Sequence, residues 1–96
     1  MSTQRGKILD EAKNVIEGPR DKAYGPPNKN FERIADLMSA VLGDKLREQL
    51  TSSDVALVMI AVKLGRLMET PDHWDTWVDI AGYAGCGGEV SNADSL

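Results

Sequence analysis

The chain has 96 residues, of which 15 are Asp or Glu and 11 are Lys or Arg, and it carries a net charge of −4. That length gives one domain, marginal as a monomer because so short a chain buries only a little over ~60% of the surface its unfolded form exposes. The acidic balance argues against a nucleic-acid polymer as partner, since such proteins need a basic excess to neutralise phosphates, although it leaves room for a local basic pocket around one small anion. A single cysteine, Cys86, closes no intramolecular disulfide. With no secretory signal pattern and no apolar run of 18 residues, we expect a cytoplasmic protein without a membrane partner.

The first element spans residues 3–17, where Ile8, Ala12, Val15 and Ile16 form one helical stripe that Gly18-Pro19 ends. RDKAYGPPNKN, residues 20–30, is too punctuated by glycine, proline and asparagine for regular structure and reads as a shaped loop. A second helix fits residues 31–42, capped by Asn28 or Asn30, with Ile34, Leu37, Met38 and Val41 on one face and Gly43 beyond its end. Residues 44–49 add at most one helical turn. Ser52 or Ser53 caps a third helix that is apolar nearly all round from Val55 to Met68, the pattern of a helix central in a bundle or sandwiched between subunits. After Thr70-Pro71-Asp72, with Asp72 as cap, a fourth helix runs to about Ala84 and is stopped by Gly85, Gly87 and Gly88. The expectation is therefore an all-α, four-helix bundle-like domain over residues 1–88 with one shaped loop, oligomeric, followed by a loose tail at 89–96.

Charges inside apolar stretches need partners, because an unpaired charge removed from water costs several kcal/mol or more. Lys63 and Arg66, three apart on one helical face, either snorkel or pair with Asp75 and Asp79, or else clamp phosphate, Arg with its fork of donors and Lys with a compact charge. Asp72, Asp75 and Asp79, with Thr76 and Tyr83, share one face of the fourth helix. They are either a cap and a solvated face, or Asp75 and Asp79 are Mg²⁺ ligands, a hard cation suited to carboxylates and ligand phosphates. In the loop, Gly25 and the two prolines fix Tyr24 to stack on a base and Asn28 or Asn30 to hydrogen-bond it, unless Tyr24 and Phe31 simply plug the bundle. Of Trp74 and Trp77, one fills the core and the other is a candidate interface anchor. His73 lacks the partners of a zinc site, and Cys86 reads as inert.

AYGPPNKNFERIADL, DVALVMIAVKLGRL and HWDTWVDIAGYA together resemble an uncharacterised family of small helical proteins encoded by phages and prophages, over residues 20–84. The last two segments are also distantly similar to the all-α nucleotide pyrophosphohydrolases of the MazG and dUTPase type. That likeness implies an oligomeric helical bundle holding a nucleoside phosphate with Mg²⁺ and basic residues. The chain departs from it where the enzymes carry an ExxE pair, since FERIADLMSAV places Glu32 and Asp36 four apart. The leading expectation is a homo-oligomer in the infected bacterial cytoplasm that sequesters a nucleotide or cyclic nucleotide signal of host antiviral defence. It would use Arg20, Tyr24, Asn28, Asn30, Lys63, Arg66 and Tyr83, with no catalysis and no required cofactor. The alternatives are a Mg²⁺-dependent pyrophosphohydrolase using Asp75, Asp79 and Glu32 or Asp36, and a structural oligomer with no small ligand.

Overall fold

The computed structural model describes residues 3–93, apart from the side chains of Asp21, Tyr24 and Ala93. Five α-helices, α1 (Gln4–Glu17), α2 (Pro19–Tyr24), α3 (Pro27–Leu42), α4 (Ser52–Glu69) and α5 (Trp74–Ala93), follow one another, with a 3-10 turn at Gly43–Lys45. No strand occurs among the described residues. The all-α expectation holds, with four long helices and the six-residue α2 between the first two.

Local chemistry sets the helix ends, and several differ from the sequence reading. Thr3 caps α1, its hydroxyl accepting from the Gly6 N–H at 3.0 Å. The segment expected to be one loop is split. Pro19 opens α2, Gly25 reverses the chain at φ +79°, and Pro27 occupies the first turn of α3, where a missing N–H costs nothing. Asn28 and Asn30 therefore lie inside α3 and do not cap it. Gly43, at φ +52°, closes α3 in a conformation few other residues adopt. Thr51, not Ser52 or Ser53, caps α4 through a reciprocal box. Its N–H donates to Asp54 Oδ2 at 2.9 Å, and its hydroxyl accepts from the Asp54 N–H at 3.3 Å. Asp72 is exposed in the turn before α5, and the residue that directly precedes the helix is His73, whose carbonyl accepts from the Thr76 and Trp77 N–H groups.

The largest correction concerns the glycines of α5, read as stops. The helix passes through Gly85, Gly87 and Gly88 to Ala93, so residues 89–93 are helical and only 94–96 of the expected loose tail lie outside the described residues. Gly82, Gly85 and Gly87 let neighbouring helices close in. A Cβ at Gly87 would stand 2.8 Å from Ala56 Cβ on α4, and one at Gly82 or Gly85 would stand 3.3 Å from Ile16 on α1. Accordingly α5, not α4, is the shared element, packing against α1, α3 and α4. The core joins Phe31 and Ala35 of α3, Val55 and Ala56 of α4, and Cys86 and Val90 of α5. The radius of gyration of 14.5 Å exceeds the ~12.5 Å of a compact domain of this length, and the long axis reaches 50 Å.

Candidate functional site

Polar groups enter the interior where α2, α3, α4 and α5 meet, and each has a partner that explains its place. Arg20, half-buried on α2, lays its guanidinium against two rings, 5.3 Å from the centroid of Phe31 and 5.4 Å from that of Tyr83. The rings themselves are tilted at 34° with centroids 6.4 Å apart. Arg20 also donates to Asn30 Oδ1 at 3.3 Å, so the buried Asn30 amide is satisfied and the guanidinium plane is held.

Two spaces open beside this cluster. Between α1 and α5, Arg20, Asp79, Tyr83 and Cys86 line a cleft with room of about 40 Å³, enough for water and too small for an organic ligand. On the α3–α4 side, Arg20, Asn30, Phe31, Arg33, Leu37 and Tyr83 line a groove of about 420 Å³, with Ile34 and Met59 completing it. That volume falls in the range of small-molecule sites, as does the mix of apolar walls with a few convergent polar groups. Arg33 is exposed and takes part in no ion pair among the described residues.

The expected residues are thus divided. Arg20, Asn30 and Tyr83 come together at the groove. Tyr24 is the last residue of α2, and its side chain lies outside what is described; Asn28 is exposed on the first turn of α3. Lys63 is held by Asp79 at 3.0 Å, with side chains 15% and 42% exposed, which is the ion-pair alternative raised for it. Arg66 is exposed near the end of α4. It shares a helical face with Met59 and Lys63, seven and three residues before it, so a basic stripe leads away from the groove floor without lining it. Lys63 is thus paired with a carboxylate, while Arg66 stands exposed three residues further along the same face.

The carboxylates expected to hold Mg²⁺ are divided between α5, where Asp75 and Asp79 stand one turn apart, and α3, which carries Glu32 and Asp36. Asp75 and Glu32 are exposed, Asp79 faces Lys63, and Asp36 lines a separate polar depression with Ser39 and Glu48. Among the described residues, no group of three or more His, Cys, Asp or Glu side chains is placed to hold a metal ion. His73 serves structure, its Nδ1 lying 2.7 Å from the Thr76 hydroxyl. Neither tryptophan is fully buried. Trp74 donates its indole N–H to Glu11 on α1, and Trp77 donates to the Pro71 carbonyl at 2.9 Å.

Sequence reasoning missed Arg33 and Met59. A signal for Arg33 was available, because Asn30, Arg33, Ile34 and Leu37 recur at the spacing of one helical face. It was hidden by starting the helix at Phe31. No helix among the described residues is long and apolar enough to cross a membrane.

Residues 7–91 match a family described as Domain of unknown function (DUF6378). The chain is 44% identical over 79 residues to the Gene 55 protein of Mycobacterium phage D29, covering 82% of this chain and 50% of that protein. It is 47% identical over 78 residues to the Gene 55 protein of Mycobacterium phage L5, covering 81% of this chain and 48% of that protein. The resemblance to an uncharacterised family with phage members is borne out, and the chain spans about half the length of these curated relatives. No solved structure matches it.

Proposed function

We propose a function from this chain's own groove, because the chain belongs to the DUF6378 family, whose description assigns none. The chain binds a small ligand that joins an aromatic ring to phosphate, a nucleotide or cyclic nucleotide, and holds it without turnover. One observation carries this reading: a groove of about 420 Å³ whose apolar and aromatic wall of Phe31, Ile34, Leu37, Met59 and Tyr83 is bordered by two guanidinium groups, Arg20 and Arg33. The apolar wall accepts a base, and arginine forks accept phosphate oxygens in paired, charge-assisted hydrogen bonds. Arg20 is already oriented by Phe31, Tyr83 and Asn30, so less ordering entropy is lost when a ligand arrives. The role we assign is sequestration of a nucleotide signal, and the phage origin of the relatives makes a signal of host antiviral defence its natural target.

Binding is preferred to hydrolysis because phosphoryl transfer needs positioned charge neutralisation and an activated water. Here Asp79 is engaged with Lys63, and Asp75 stands exposed in the first turn of α5. If the rival pyrophosphohydrolase of the MazG type were correct, Mg²⁺ would have to recruit those two aspartates with Glu32 or Asp36.

The test is calorimetric titration with adenosine and guanosine triphosphates, a cyclic dinucleotide and inorganic pyrophosphate, with the recovered compounds checked by mass spectrometry. Arg33→Ala is the informative variant, because Arg33 is exposed and its loss leaves the core intact. Affinity for the bound nucleotide should fall by ~1.5–3 kcal/mol while the thermal midpoint stays put. Nucleotide should bind more tightly than pyrophosphate, since only it has a ring for the apolar wall. Unchanged affinity in Arg33→Ala removes the groove as the site. Turnover with Mg²⁺ that disappears in Asp79→Asn replaces sequestration by the enzymatic reading, and the absence of any binding leaves a structural oligomer.

A further inference from the structure

The outer face of the α4–α5 hairpin carries large apolar side chains and, from Leu57 to Met68 on α4 and from Trp77 to Gly88 on α5, no charge. Ser53 with Ser91, Ala56 with Gly87, and Lys63 with Asp79 pair along the two helices in the register of an antiparallel hairpin. On the side away from the core, α4 presents Leu57, Ala61, Leu64 and Met68, spaced four, three and four, which places them on one stripe. Leu57 is 66% exposed, Leu64 51% and Met68 87%. Beside them α5 presents Trp77, Ala84 and Gly88, all exposed and spaced seven and four. A shallow groove of about 230 Å³ runs between the helices, with Leu57 and Ile60 on one wall and Ala84 and Gly88 on the other. Between Leu57 and Met68 the charges of α4, Lys63 and Arg66, lie off this stripe, as do Asp75 and Asp79 of α5, and the stripe ends at its N-terminal side on Asp54, whose carboxylate accepts from the Thr51 N–H. Single exposed leucines are ordinary on a soluble protein, but a continuous apolar face spanning two helices is not.

We propose that this face is the interface of a two-fold symmetric dimer in which the α4–α5 hairpins of two copies pair. The occupant is a second copy because the face is complementary to itself. Its large residues sit on α4 and its small ones on α5. A two-fold axis therefore sets the Leu57, Leu64 and Met68 knobs of each copy over the Ala84 and Gly88 hollow of the other, as an isologous contact requires. Its extent also suffices. Four large exposed side chains and the small residues between them amount to roughly 600 Å² per copy, or about 1,200 Å² in the pair, the lower bound of a standard specific interface. Lack of charge on the face also matters in a chain of net charge −4, since the copies meet without like charges opposed. Met59, which lines the ligand groove, projects from the opposite side of α4, so that groove stays open in the dimer and the two proposals stand or fall separately.

Sedimentation velocity and light scattering across a micromolar dilution series test the proposal. The protein should run at twice 10.4 kDa. Leu64→Glu, which would bury a carboxylate in the seam, should raise the dissociation constant at least ~100-fold and give a monomer with an unchanged circular dichroism spectrum. Ala84→Glu, on the other helix of the face, should do the same. Val41→Glu, at an exposed position on α3 away from the hairpin, should leave the dimer intact. A wild-type monomer throughout the series overturns the proposal whether or not the variants fold. So does a dimer that survives both substitutions on the face or dissociates with Val41→Glu.

Discussion

The two sides of the α4–α5 hairpin reverse the usual arrangement. Its inner side, toward α1, α2 and α3, takes in polar groups: Arg20 between two rings, Asn30 on Arg20, Thr76 on His73, and Lys63 on Asp79. Its outer side turns Leu57, Leu64, Met68 and Trp77 toward solvent. Every buried side-chain nitrogen or oxygen among the described residues has a partner, so none adds the cost of an unmade hydrogen bond. Hydrophobicity alone therefore does not decide which residues of this hairpin are inside. Polar residues go inward where a specific partner waits, and apolar residues stay outward where a second surface can cover them.

The sharpest way to break the inner side is through Phe31, which is fully buried and lies under the Arg20 guanidinium. Phe31→Ala should cost about 3–5 kcal/mol in chemical denaturation. The loss should exceed that of any other single truncation in the core, because the substitution leaves a cavity and removes one of the two rings that hold Arg20. If Phe31→Ala loses less than about 2 kcal/mol, the cluster can collapse onto the gap and the inner side is more plastic than its contacts imply.

A smaller effect tests whether the Lys63–Asp79 pair is symmetric in energy. Lys63 is nearly buried while Asp79 is close to half exposed, so the two carry different penalties when left alone. Asp79→Ala strands an ammonium with little access to water and should cost about 1–3 kcal/mol. Lys63→Met keeps the apolar stem, removes the charge, and leaves a carboxylate that water can reach, so it should stay within about 1 kcal/mol of the parent. Equal losses for the two would mean that the pair acts as one unit and its exposure difference is immaterial.

How much of this was legible in the sequence follows from what each signal rests on. Helix class came through because α1, α3 and α4 repeat apolar residues at helical spacing, a local property that tertiary contacts did not override. Helix ends came through poorly. Glycine and proline mark breaks only on average, whereas Pro27 starts a helix and Gly85, Gly87 and Gly88 lie inside one. What places Gly85 and Gly87 inside the helix is the close approach of Ile16 and Ala56 from other helices, which no local window contains. The site was half legible for the same reason. Arg20, Asn30 and Tyr83 are singled out by residue type and do meet, whereas for Lys63 the sequence leaves an ion pair and a phosphate contact both open, and only the 3.0 Å to Asp79 shows the pair. Arg33 was missed because it becomes a neighbour of Asn30 only once α3 starts at Pro27.

The smallest predicted effect contrasts two helical glycines of the hairpin, one in the seam between its helices and one exposed. Gly in a helix interior is less favourable than Ala by about 1 kcal/mol, through backbone entropy, so Gly→Ala should stabilise wherever a methyl group fits. At Gly87, in the seam between α4 and α5, the new Cβ would stand 2.8 Å from Ala56 Cβ, closer than two carbons approach without a shift of one helix. Overpacking of that kind costs about 1–3 kcal/mol, which offsets the propensity gain and should leave Gly87→Ala less stable than the parent. At Gly65, exposed on α4, the new Cβ meets nothing within 4 Å, so the gain should survive as about 0.5–1 kcal/mol and a small rise in thermal midpoint. Measuring both at a dilution where the protein is monomeric isolates the fold from the interface. Stabilisation by both would mean that α4 and α5 are not held at the separation that Gly87 permits. Loss at Gly65 alone would mean that something presses on the outer face even in the monomer.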